Sequence, residues 1–171
     1  GVVVATAESL SGLVIHQLAA PGAPFIAGGA GPAMDMRTSL CSYGSPELQI
    51  TCASMVTMAR HLELPCFCTA GCSDAQVFDQ QAGMEAGYTI LMQALAGGNL
   101  IHDLGYIGAG MTSSMEMLLL CNEMAGMVRH ILRGIPMDRK SLALEVIEAV
   151  GPGGNYFTEE HTVENFREAL H

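Results

Sequence analysis

Arg60-His61-Leu62-Glu63-Leu64-Pro65-Cys66-Phe67-Cys68-Thr69-Ala70-Gly71 is the stretch that decides the fold. It reads as the end of a helix, a proline, a short apolar strand, and a glycine that closes the strand into a loop. The same order of signals stands earlier, in His16-Gln17-Leu18, Pro24-Phe25 and Gly28. A third strand, Asn99-Leu100-Ile101-His102, follows a helical pattern stopped by Gly97-Gly98. Strands are therefore expected near 25–28, 65–69 and 99–102, each separated from the next by one helix. Strands that alternate with helices argue for parallel βα units. Units of this size are the repeat of a (β/α)8 barrel, and three strands cannot close one of about 250 residues. The chain also opens on Gly1 rather than Met and enters a helical pattern almost at once. The expectation is an α/β chain that forms the C-terminal half of a (β/α)8 TIM barrel. Residues 1–150 would be the partial barrel, and 151–171 a C-terminal extension with a short helix near 162–170.

The helices announce themselves by periodicity and caps. Leu10, Leu13, Val14 and Leu18 recur at helical spacing over 3–19. Ser45-Pro46-Glu47 supplies an N-cap hydroxyl, a proline at the first helical position and an acid in the first turn. A third helix carries Met84, Tyr88, Leu91 and Leu95. Ser113-Ser114-Met115-Glu116 matches a capping box, with Ser113 as the cap, for a fourth helix reaching Arg133. Met115, Met117, Met124 and Met127 fall on that helix and read as adaptable core packing. Asp138 caps a fifth, 139–150. Residues 105–110 read as a glycine-punctuated loop.

Composition limits the function. Of 171 residues, 17 are Asp or Glu and seven Lys or Arg, a formal charge of −10. The few basic residues are scattered, with Arg139-Lys140 the one adjacent pair, which argues against an electrostatic nucleic-acid binder. Half the residues are hydrophobic, too many for a disordered chain. Glu8, His16 and Gln17 interrupt the N-terminal apolar stretch, so no membrane span is expected, and no basic region precedes it to make a signal peptide. Six cysteines at irregular spacing fit free thiols and a cytoplasmic location.

In parallel α/β folds, ligands meet the loops after the strand C-termini. Here the first loop holds Asp35, Arg37, Ser39, Cys41, Ser42 and Tyr43, the second Cys72, Ser73 and Asp74, and the third His102, Asp103, Tyr106, Thr112 and Ser113. Each has a structural alternative. Asp35 and Arg37 suit a loop salt bridge, Asp74 suits a cap for the third helix, and His102 suits a satisfied strand-end histidine. Cys66-x-Cys68-x3-Cys72 can be drawn as a zinc site with His102, although the spacing matches no standard structural site. No Gly-x-Gly-x-x-Gly, Walker A, Gly-x-Ser-x-Gly or His-Glu-x-x-His is present.

A resemblance adds to this reading. Ala7-Glu8-Ser9-Leu10, Gln17-Leu18 and Pro21-Gly22-Ala23-Pro24; Met34-Asp35-Met36-Arg37-Thr38; Tyr43-Gly44-Ser45-Pro46-Glu47; Asp74-Ala75 and Asp79-Gln80-Gln81-Ala82-Gly83-Met84-Glu85; Ala96-Gly97-Gly98-Asn99-Leu100-Ile101-His102; Leu132-Arg133-Gly134-Ile135; and Gly151-Pro152-Gly153-Gly154-Asn155-Tyr156-Phe157 with His161-Thr162 occur in one order. Together they resemble the trimethylamine methyltransferase family, the corrinoid-dependent enzymes that include the glycine betaine methyltransferases.

The resemblance implies transfer of a methyl group from a methylated amine to the Co(I) corrinoid of a small partner protein over the barrel mouth. No cofactor would be bound directly, because the partner carries the corrinoid and its methylated form, methylcobalamin. No metal ligands are assigned. The full-length protein is expected to be a homo-oligomer that touches neither nucleic acid nor membrane. Some members that act on trimethylamine carry pyrrolysine. This sequence shows none, which favours a quaternary amine such as glycine betaine. The candidate substrate-binding residues are Asp74, His102, Asp103, Arg37 and Tyr106, with Tyr43 as a second aromatic wall; no catalytic residue is singled out. Asp35, Asp74 or Asp103 would hold the ammonium, aromatic faces would add cation–π attraction, and Arg37 would suit a betaine carboxylate. Two rivals stand beside this reading: a zinc-dependent barrel methyltransferase using Cys66, Cys68 and Cys72, and a non-catalytic half-barrel module.

Overall fold

The structure, a computed structural model, describes residues 1–171. Helix α1 spans Val2–Ala19 and α2 Pro46–His61. Strand β1, Phe67–Thr69, leads to α3, Gln80–Ala96, and to strand β2, Leu100–His102. A small hairpin, β3 Tyr106–Ile107 and β4 Thr112–Ser113, precedes α4, Met115–Arg133. Short helices α5, Arg139–Leu142, and α6, Leu144–Val150, and then α7, Glu160–Ala169, complete the chain. Contacts group these residues into two compact units, Gly1–Val128 and Arg129–His171.

In the first unit, the expected order appears as parallel pairing, but the strand expected at 25–28 is corrected to a single bridging residue, Ala27, and the one at 65–69 to Phe67–Thr69. Ala27 bridges Cys66 in parallel. β1 then pairs with β2 in parallel, Phe67 opposite Leu100, Cys68 opposite Ile101 and Thr69 opposite His102. The pleat separates the two faces. Cys66, Cys68 and Ile101 join Ala27, Val56, Ala59 and Ala96 in one apolar cluster on the helix side. Phe67, Thr69, Leu100 and His102 stand on the other face. Gly98 is needed where it stands, because a Cβ there would strike the buried Cys68 Sγ. A second cluster joins Ala82, Ala86 and Ile90 of α3 to Met117, Cys121 and Val128 of α4.

Caps explain the helix starts. The Ser45 hydroxyl accepts from Leu48 N at 3.3 Å with Pro46 at the first helical position. α3 is capped by Asp79, which accepts from Ala82 N at 3.0 Å, so the expectation that Asp74 caps it is corrected. α4 is capped by Ser114, which accepts from Met117 N at 3.2 Å and donates to Glu116 at 2.7 Å. The capping box expected from Ser113 is therefore corrected to a simple serine cap one residue later, since Ser114 N donates to Gly105 O rather than to a glutamate. Of the methionine stripe, Met117 is fully buried and Met124 packs on the core, whereas Met115 and Met127 face outward. The core face of α4 instead runs Met117, Cys121, Met124, Val128, the spacing one helical side requires.

Three further expectations are corrected. Residues 105–110 are not wholly loop, because Tyr106–Ile107 pairs antiparallel with Thr112–Ser113. Gly108, Ala109 and Gly110 all take positive φ and make that tight reversal possible. The fifth helix breaks at Ala143, whose φ of 48° is left-handed, into α5 and α6. Lastly, α1 is long and apolar enough to cross a membrane by length and composition, despite Glu8, His16 and Gln17. It packs on α2 through Ala5 and Thr6 and turns Val3, Val14, Ile15 and Leu18 outward.

In the second unit, Asp138 caps α5 through Ser141 N at 3.0 Å, as expected. Arg139 pairs with Glu145, and Lys140 reaches Glu164 at 3.8 Å.

Candidate functional site

The strands stop at Thr69 and His102, and the loops beyond are laced together by backbone hydrogen bonds. Ala70 N donates to His102 O at 3.1 Å and Ser73 N to Tyr106 O at 3.0 Å. Gly108 N donates to Ala75 O at 2.7 Å and Ala109 N to Ser73 O at 3.0 Å. The loop after Ala27 joins them through Asp74. That carboxylate accepts from the Ser42 hydroxyl, from Tyr43 N at 2.7 Å and from Gly44 N at 3.2 Å. Three loops distant in sequence therefore form one rim at the strand ends.

Asp103 lies on that rim, near enough for its charge to reach Tyr43 and Cys72. Its backbone is left-handed, with φ of 72°, a conformation that aspartate tolerates better than most residues. Its Oδ1 lies 2.8 Å from His102 Nδ1. His102 Nε2 is buried with no hydrogen-bond partner, and the imidazole lies 5.1 Å from the Phe67 ring, centroid to centroid. Asp103 Oδ2 makes no hydrogen bond.

The surrounding groups feel these charges. Burial, and then the carboxylates of Asp103 and Asp74, push the Cys72 thiol up to about 12. Burial and the charge of Asp103 also raise the Tyr43 phenol above its ordinary value. The Tyr43 ring lies against Gly110. No Lys or Arg pairs with Asp74 or Asp103, and the one ionisable partner of the two is His102, on Asp103.

The structure thus gathers Asp74, His102, Asp103 and Tyr43, with Tyr106 on β3 beside Ser73. Arg37 lies elsewhere on the first loop: its side chain is 90% exposed and its Nε is 3.7 Å from Asp35 Oδ1. Asp35 also accepts from Arg37 N at 2.8 Å, so the pair is internal to that loop.

Glu85 was not among the sequence candidates. It is 8% exposed, has no cationic partner, and accepts from Ser73 Oγ at 2.5 Å, Asp74 N at 2.8 Å and Gln81 Nε2 at 2.9 Å. Tyr88 donates to Gly44 O beside it. Its glutamate stands in an ordinary helical pattern, and the one hint was its place in the quoted run from Asp79.

The zinc reading is overturned. Cys66 Sγ turns to Phe67 O, Cys68 Sγ to Leu100 O and Cys72 lies in the loop, and no three His, Cys, Asp or Glu side chains converge. Burial holds the Cys68 thiol at about 12, far from thiolate.

The whole chain, residues 1–171, matches the family model for trimethylamine methyltransferase. It is 39% identical over 156 residues to the trimethylamine methyltransferase MttB of Methanosarcina thermophila, covering 91% of this chain and 32% of that protein. It is 40% identical over the same length to MttB of Methanosarcina barkeri, with the same coverage. Against the glycine betaine methyltransferase of Desulfitobacterium hafniense strain Y51 it is 35% identical over 162 residues, 94% of this chain and 34% of that protein. The chain thus spans about a third of the length of the curated relatives it matches.

Proposed function

Because this chain belongs to the trimethylamine methyltransferase family, we propose that its rim binds a methylated ammonium compound for methyl transfer to the corrinoid of a partner protein. In this reading the parallel βα units are part of a (β/α)8 barrel and the three loops line its mouth. A quaternary amine of the glycine betaine kind is the preferred donor, with a protonated tertiary amine held the same way.

One observation carries the reading: Asp74 and Asp103 share the rim with no Lys or Arg paired to either, and Asp103 keeps one oxygen open beyond its contact with His102. Carboxylates gathered at one rim favour a cation there, and a bound ammonium ion supplies that charge at the oxygen His102 leaves open. Asp103 is the contact, because Oδ2 is open, and His102 fixes its orientation through Oδ1. Tyr43 and Tyr106 offer aromatic faces to the methyl groups. Asp74 adds negative potential from behind the first loop, and Arg37 is the cation available to a betaine carboxylate.

The chemistry asks mainly for positioning. The methyl carbon–nitrogen bond breaks with its electron pair going to nitrogen, so a quaternary ammonium leaves as a neutral tertiary amine. The Co(I) corrinoid of the partner supplies the nucleophile. The chain aligns the donor methyl outward, and no proton has to move for a quaternary substrate. A flat macrocycle needs an open face rather than a pocket, and exposed Met36, Leu40, Met111 and Tyr106 on these loops offer one.

Calorimetric titration separates charge from shape. Glycine betaine should bind the full-length protein, and its isostere 3,3-dimethylbutanoate, an anion in which an uncharged carbon replaces the ammonium nitrogen, should bind far more weakly. Equal affinities would show that the rim does not recognise the ammonium charge.

A further inference from the structure

Asp74 is the most heavily bonded carboxylate of the rim, and its partners define what it does. One oxygen accepts from Tyr43 N, the other from the Ser42 hydroxyl and Gly44 N. All three donors belong to one turn of the first loop. Asp74 itself is held from below, because Glu85 accepts from Asp74 N and from Ser73 Oγ. The same turn is tied by its carbonyls: Tyr88 donates to Gly44 O, and Gln49 Nε2 to Tyr43 O at 3.4 Å. Gln49 is held in turn by Gln93 at 2.7 Å. Gly44 leaves room for this stack, since a Cβ there would strike the Glu85 carboxylate.

We propose that Asp74 and Glu85 are a two-storey clamp that positions Tyr43 as the aromatic wall beside Asp103, so that Asp74 acts on the substrate through Tyr43 rather than by touching it. This rests on the cation-binding reading for its purpose, but not for its geometry. The acceptor capacity of Asp74 is already directed at the turn, whereas Asp103 keeps an oxygen open. Glu85 is thereby a positioning residue.

The donor pattern makes the two storeys respond differently to amide substitution. In Asp74→Asn, whichever way the amide turns, its NH2 faces a backbone N–H, of Tyr43 or of Gly44, and neither can be reversed. In Glu85→Gln, the NH2 can face Gln81, whose own amide can turn to accept.

The test reads Tyr43 directly, by tyrosine ring-carbon NMR of the full-length protein across alkaline pH, with the signal assigned by Tyr43→Phe. The Tyr43 phenol is raised by burial and then by Asp103, Cys72 and Cys41. Asp74→Asn removes a nearby charge as well as the clamp, whereas Ser42→Ala removes a clamp bond and no charge, so a shift of Tyr43 in Ser42→Ala reports displacement. Asp74→Asn should bring the Tyr43 ionisation down toward its ordinary value and weaken tetramethylammonium binding roughly tenfold, the scale of one cation–aromatic contact. Glu85→Gln should change both less. Ser42→Ala, which removes one donor, should move Tyr43 in the same direction and keeps the test open if Asp74→Asn does not fold. An unchanged Tyr43 ionisation in both Asp74→Asn and Ser42→Ala overturns the clamp. If Tyr43 moves but the unmodified protein binds no tetramethylammonium, the clamp stands and the cation-binding reading falls.

Discussion

Asp103 sits in a left-handed backbone with one carboxylate oxygen on His102 and the other open. A non-glycine residue held in the left-handed region is a feature of functional sites. Asp103→Asn keeps the shape and removes the charge. Affinity for glycine betaine should fall by about 1.5–3 kcal/mol, the scale of a charge-assisted contact, while the exposed Glu148→Gln leaves it unchanged; titration calorimetry measures both. The buried thiols give a second test. Cys68 and Cys72 are raised from about 9 to about 12, so at pH 8 each is thiolate in roughly one molecule in ten thousand. Iodoacetamide at pH 8 should label the partly exposed Cys41 and leave these two unlabelled by peptide mass. The same shifts fix a sign. Between pH 9 and 12 the folded state holds protons that the unfolded state releases, so stability falls as pH rises through that window. Denaturant midpoints measured at pH 8 and pH 10 should show the drop. The place of His102 and Asp103 at a strand end was legible in the sequence, from the short apolar run that precedes them. Glu85 was not, because its burial comes from loops folding back over α3 and leaves no local pattern.

At the scale of elements, the helices were legible wherever a cap named itself. Ser45-Pro46 and Asp138 cap where the pattern puts them. For α3 the sequence reading named Asp74 as the cap, and tertiary contact overrode it: Asp74 was taken by the Ser42–Gly44 turn, and Asp79 caps the helix instead. The β3–β4 hairpin escaped because two residue pairs are too short for any alternation. The break at Ala143 escaped because alanine favours continuing a helix. Ser45→Ala should cost about 0.5–2 kcal/mol, the usual value of a lost cap, as a shift in denaturant midpoint. Gly98→Ala should cost about 1–3 kcal/mol, because the new methyl overpacks against buried Cys68. A neutral Gly98→Ala would mean that β1 and the turn after α3 are less tightly apposed than the structure has them.

At the scale of the molecule, the parallel order 27–66 and 67–100 is the one the sequence repeat predicted. The face opposite the helices presents Phe67 and Leu100, the latter 53% exposed. An apolar sheet face with open strand edges is an association hazard, so the isolated 171-residue chain should elute in size-exclusion chromatography as a broad, concentration-dependent species. A sharp monomer peak would show that this face is tolerated in water. The central claim concerns the rim, and one measurement tests it most directly. Methylation of a Co(I) corrinoid protein is followed by its visible spectrum, with glycine betaine as donor and the full-length protein as catalyst. The account predicts methyl transfer with the unmodified protein, a loss of roughly tenfold to a hundredfold at low substrate with Asp103→Asn, following from the lost charge contact, and no loss with Glu148→Gln. Methyl transfer at the same rate with Asp103→Asn, at substrate well below saturation, would contradict it.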